Sequence, residues 1–159
     1  MIPEYASIAH SFAWADRILD RLVGDFTPGD WRRKDEAGHT ARWVLGHVAS
    51  YRLRILEMMG IPAFEAPWID AFGRGASDAD VPESLDMGRV VQAFHEAQRR
   101  MAERWDALTA EDLAKPLGRT LPDGSDTQGG GIRFLAWHEA YHFGQLGLLR
   151  RLAGKSGLA

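Results

Sequence analysis

Apolar residues in this chain recur at steps of three and four, and no segment alternates apolar with polar over the length a strand needs. That spacing confines the chain to helices, because only a helix brings positions three and four apart onto one face. Tyr5, Ile8, Phe12, Ala15, Leu19 and Leu22 mark a first helix over 3–23, with Pro3 suited to its first turn and Gly24 to its stop. Thr40 is placed to cap a second helix over 41–59, closed by Gly60 and Pro62. That helix carries two stripes: Val44, His47, Val48, Tyr51, Ile55 and Met58, and on the opposite side Leu45, Ala49, Leu53 and Leu56. A helix apolar on both sides is buried on both sides. Ser84 is placed to cap a third helix over 85–108, with Val91, Phe94, Gln98, Met101, Ala102 and Trp105 as its stripe. A fourth runs over 131–152. Four helices of about 20 residues predict an all-α four-helix bundle. The length of 159 residues fits one domain with a sizeable core.

The connections are uneven. Thr27-Pro28-Gly29-Asp30 and Pro122-Asp123-Gly124 are turn chemistry, and 109–115 suits a short extra turn. The stretch 61–82 is different. It holds Pro62, Pro67, Gly73, Gly75 and Pro82, with Phe64, Trp68 and Phe72 interleaved, and has no period. A connection this long is uncommon in a compact domain. It reads either as a crossover linker whose aromatics pack on the bundle, or as a lid over a pocket.

Composition removes several function classes. The net charge of −3 gives no basic face for nucleic acid. There is no cysteine, so there are no disulfides and no thiolate ligands, and any metal must sit on histidine or carboxylate. No apolar run approaches the roughly 20 residues of a membrane span. The opening MIPEYASIAHSFAWADR carries acids early and lacks a basic-then-apolar leader pattern, so the expected location is the cytoplasm.

The chemistry concentrates in 137–150, WHEAYHFGQLGLLR. His138 and His142 are four apart, about 40° from one another on a helical wheel, with Leu149 and Leu135 on the same side. His47 shares its side of the second helix with Val44, Tyr51 and Met58. All three imidazoles therefore face the core. A lone core histidine is ordinarily satisfied by two hydrogen bonds. Three on bundle-facing stripes would each need separate buried partners, whereas one divalent ion satisfies them together. Three histidines with an open fourth position are a known catalytic arrangement. Of the other histidines, His10 falls off its stripe, His39 sits outside the second helix near its cap, and both are expected at the surface. His95, on the edge of the third stripe, reads as packing, or else as a fourth ligand or pocket acid/base.

The pattern WVLGHV over 43–48, together with His138-x-x-x-His142-x-Gly144-Gln145, resembles the DinB/YfiT-like metal-binding four-helix bundles. The resemblance extends to four helices and a long second connection. It implies an unusual crossover topology and one divalent ion, zinc, nickel or iron, on His47, His138 and His142. It also implies a homodimer and, in some members, a low-molecular-weight thiol cosubstrate activated for transfer or isomerisation. No residue here selects among a thiol transferase or isomerase, a hydrolase acting on a small molecule, and a non-catalytic binding bundle.

His138-Glu139-Ala140-Tyr141-His142 also matches H-E-x-x-H, the zinc-peptidase signature in which the glutamate is the general base. Only 17 residues follow His142, too few for that family's downstream third ligand, and no strand is evident to bind an extended peptide. Glu139 reads instead as a flank residue or a partner of a ligand. Arg54, two turns from His47 on its face, reads as an oxyanion clamp or as an arginine at the bundle mouth paired with an acid. Tyr51 reads as pocket lining or packing. Gln145, about 20° from His138, joins them near the ligands. Ala136, Ala140, Gly144 and Gly147 leave the far side of the last helix small enough for another helix, from this bundle or from a twofold mate.

Overall fold

The helix over 41–58 is the one around which the others assemble. The structure, a computed structural model, describes residues 1–73 and 75–158. Its helices are α1 (Pro3–Val23), α2 (Pro28–Arg32), α3 (Ala41–Met58), α4 (Met87–Arg104), α5 (Ala110–Ala114) and α6 (Gln128–Leu152). Among the described residues there is no strand, only isolated bridges at Lys34–Thr40 and Pro116–Thr127. Of the 18 residues of α3, 14 are buried, so both predicted stripes are covered. It packs against α6 and α4, and α1 packs against the same two, which sets α1 and α3 across the diagonal of a four-helix bundle. Val44, Leu45, Leu53, Ile55 and Leu56 are each at most 1% exposed. Each contributes about 1.5–3 kcal/mol by leaving water. No described helix is long and apolar enough to cross a membrane.

The helix starts follow local chemistry. Thr40 accepts from the Trp43 amide and Thr127 from the Gly130 amide, filling the freed donors of α3 and α6. Three expectations are corrected. Ser84 does not cap α4; Asp86 accepts from the Gly88 amide and the helix begins at Met87. Phe94, Gln98, Met101 and Trp105 are buried as predicted, but the α4 stripe is rotated by a fraction of one residue step, so that Val90 and Ala97 are buried, Val91 is half-buried and Ala102 is exposed; Val90 and Val91 are equally apolar, and packing on α1 and α3 chooses between them. The turn at Thr27 goes on into the short helix α2, because Thr27 and Asp30 form a reciprocal capping box.

The 61–82 connection packs on the bundle. Ala66, Trp68, Phe72 and Val81 are buried, and Ile69–Phe72 and Asp78–Asp80 form 3-10 turns. The second turn is tied to the start of α3: Asp78 accepts from the Thr40 hydroxyl at 2.5 Å and from Arg42 Nε at 2.9 Å. Phe72 packs closely against α3 because residue 46 is glycine; a Cβ there would run into its ring.

Candidate metal centre

Three imidazoles meet where α3 and α6 face one another. His47 comes from α3, and His138 and His142 from successive turns of α6. The coordinating nitrogens all lie within 4.8 Å of one another. His138 Nε2 stands between the other two, 3.3 Å from His47 Nε2 and 3.1 Å from His142 Nε2. Ligands about 2.0–2.1 Å from a tetrahedral zinc are about 3.3 Å apart. His47 and His142 are buried and His138 is half-buried.

The far nitrogens fix the tautomers. His47 Nδ1 donates to the Phe72 carbonyl oxygen at 2.8 Å. A carbonyl can only accept, so that nitrogen carries the proton and Nε2 keeps its lone pair. His142 Nδ1 donates to Gln145 Oε1 at 2.6 Å, with the same result. Two acceptors therefore face His138 Nε2, which has at most one proton to offer. The set is at least one donor short in either neutral tautomer of His138, and a cation would supply what is missing. The donor set fits a divalent ion held by three imidazoles, two of them, His47 and His142, oriented as outer partners orient metal-bound histidines.

Charge agrees with this. Burial, followed by the facing His142 and His47, lowers His138 to about 4. Burial lowers His142 to about 4 against the raising effect of Gln145, and burial also depresses His47 below its ordinary value. The rings stay neutral at pH 7 and available as ligands. A depressed folded-state value means that the unfolded chain binds more protons below about 6.5. In a His95→Gln background, which removes a histidine whose value is raised and whose contribution runs the other way, metal-free protein is therefore expected to lose stability as the pH falls from about 6.5 towards 4. Urea midpoints across this window measure it; a flat profile would contradict the burial of these rings.

The other predicted residues divide. Tyr51 is half-buried, with its ring 4.8 Å from that of His47 and 4.7 Å from that of His138, between the imidazoles and an open cleft. Arg54 is not core-facing: it is exposed on the rim of that cleft, 3.4 Å from Glu57, because the face it shares with His47 runs out into the open there. His95 lies away from the centre and is neither ligand nor pocket group; it bonds Asp16 at 2.7 Å and Asp20 at 3.2 Å on α1. Burial lowers its pKa, but those two acids outweigh it and hold the value above normal. His10 is exposed as expected, while His39 is half-buried, 3.4 Å from Asp35 and beside Trp43.

Glu139 does not flank the ligands as a free base. It is buried and bidentate on Arg52, at 2.7 and 2.8 Å. Arg52 is wholly buried, donates to the Phe12 carbonyl at 2.9 Å and lies 3.5 Å over the Phe94 ring. The sequence reading passed over Arg52. The signal was present: an arginine between two apolar stripes needs a carboxylate from a facing helix. It also passed over the Phe72 carbonyl, which as a backbone group has no signal of its own.

Replacing Gly46 by Ala is expected to push Phe72 off α3 and cost about 1–3 kcal/mol. Because the carbonyl that orients His47 moves too, metal affinity should fall as well. Unfolding and metal titration of the same variant check both, and unchanged values in each would remove the role given to this contact.

A family model described as the DinB superfamily matches residues 11–146. The chain belongs to the DinB superfamily. No curated protein matches. Among solved structures it is similar to YfiT from Bacillus subtilis, described as a probable metal-dependent hydrolase with an unusual four-helix bundle topology. The identity is 17%, the match covers 98% of this chain and 91% of that one, and the TM-score is 0.69. At that identity the likeness speaks for the fold. This DinB-superfamily chain thus has the predicted all-α bundle and crossover, with its three-histidine cluster between α3 and α6.

Proposed function

We propose that this protein is a metal-dependent enzyme that holds one divalent ion on His47, His138 and His142 and acts on a small molecule by thiol transfer, isomerisation or hydrolysis. The observation that carries this is the donor shortage among the three Nε2 atoms. Zinc, nickel and iron all suit three imidazoles. Such an ion lowers the pKa of a bound water or thiol and polarises a carbonyl. The Phe72 carbonyl and Gln145 hold two of the rings. Tyr51 stands at the open side, where its hydroxyl can donate to a substrate oxygen. The chain has no cysteine, so a nucleophilic thiol would come from a cosubstrate.

Metal analysis of untagged protein should find about one ion per chain. A panel of thiols with electrophiles, and of esters and amides, should then show turnover that a chelator abolishes. Metal without chelator-sensitive turnover would favour the second reading, a non-catalytic binding bundle. A peptidase is disfavoured because Glu139, its required base, is held by Arg52.

We also propose a homodimer through the outer face of α6. A Cβ at Gly144 or Gly147 would meet nothing, so no bundle helix uses this side. Trp137, Tyr141 and Leu148 beside them are 63%, 54% and 45% exposed. Sedimentation should give a dimer at micromolar concentration and a folded monomer for Gly144→Arg. A wild-type monomer would remove the proposal.

A further inference from the structure

A cleft of about 520 Å³ is lined in part by Tyr51, whose ring also packs on those of His47 and His138. Its walls come from three places: α3, the first 3-10 turn of the crossover, and the segment between α5 and α6. Among the described residues, four charged side chains line it: Arg54, Glu57, Asp70 and Arg119. Arg54 and Glu57 face one another at 3.4 Å, an exposed pair of little strength. Arg119 makes no hydrogen bond or ion pair with the described residues.

The segment carrying Arg119 is anchored. The Leu117 amide donates to the Asp126 carbonyl at 2.6 Å, the Leu121 amide donates to the Ser125 carbonyl at 2.8 Å, and Gly124 takes the positive φ of the turn between them. The guanidinium is thus presented to the cleft from a fixed base. A planar fork of donors matches a carboxylate in two parallel hydrogen bonds. Among the described lining residues, Glu57 and Asp70 offset the two arginines, which works against a polyanion such as a nucleotide.

We infer that the substrate carries a single carboxylate, bound by Arg119 with Arg54 assisting at the rim, and that its reacting end extends past Tyr51 to the three histidines. This rests on the metal-centre reading above and adds the substrate class. Arg119 selects and orients; it takes no part in bond making.

The test uses cobalt-loaded protein, titrated with ω-mercaptocarboxylates of increasing length and with their methyl esters, following the thiolate-to-cobalt absorption. At one chain length the acid should bind at least about tenfold more tightly than its ester. Arg119→Ala should remove most of that preference, Arg119→Lys should keep more of it, and Arg54→Ala should lose less than Arg119→Ala. Equal binding of acid and ester at every length, or a preference undiminished in Arg119→Ala, would overturn the inference. If no cobalt is taken up, the metal reading has failed, and the cleft is judged by itself. Butyrate is then titrated into metal-free protein while the Arg119 Nε–Hε NMR signal is followed. A saturable shift supports the carboxylate site, and its absence overturns it.

Discussion

Glu139→Leu should cost about 3–5 kcal/mol of folding free energy, the expected result of stranding a fully buried arginine. Arg52 is 0% exposed, and Glu139 is its one bidentate partner; Asp16 lies farther off at 3.8 Å. The charge cannot leave by deprotonation, since a guanidinium keeps its proton in proteins. It must stay unpaired, draw in water or drag its helix outward. The double variant Arg52→Met with Glu139→Leu should recover most of the loss, because an apolar pair of similar volume often replaces a buried ion pair without penalty. Urea unfolding of metal-free protein at pH 7 measures both. A single variant within about 1 kcal/mol of the parent would mean that the pair is far better hydrated than its burial indicates.

Removing one imidazole has the second large effect. His47→Ala, His138→Ala and His142→Ala should each lose the stoichiometric ion on gel filtration, while the helical signal persists, because two monodentate ligands no longer close a site. Gln145→Leu removes only the partner of His142 Nδ1 and should weaken metal binding by about 10- to 100-fold. The graded pair matters. If His47→Ala binds metal as the parent does, α3 contributes nothing to the centre and an ion, if present, sits on α6 and solvent. If Gln145→Leu is as damaging as the histidine variants, the glutamine holds more than one ring.

How legible this was depended on whether a signal was periodic. The four long helices and the inward direction of His47, His138 and His142 follow from steps of three and four, and they appear where the spacing put them. The α4 face was right at Phe94, Gln98, Met101 and Trp105 and wrong at its margin, because Val90 and Val91 offer the same hydrophobicity and only tertiary packing separates them. Arg54 was set inward by the same wheel that placed His47 correctly. A wheel gives direction and not depth, and at residue 54 that direction leads into an open cleft. Glu139 was weighed for its place in a motif, while its use was decided by an arginine on another helix. The family resemblance rested on the motif H-x-x-x-H-x-G-Q. Part of its physical content is now visible: the glutamine holds the second histidine, and the glycine leaves the outer face of α6 bare.

One ring of the centre is oriented by a main-chain oxygen in the crossover. No side-chain exchange at residue 72 can delete that acceptor, so amino-acid identity along the connection is under little direct pressure from the metal. Path length is another matter. An insertion or deletion anywhere between the end of α3 and residue 72 would slide the carbonyl out of register with His47, at the cost of the metal and not of the helices. In this fold the loop that looks most free to drift in composition is tightly constrained in length.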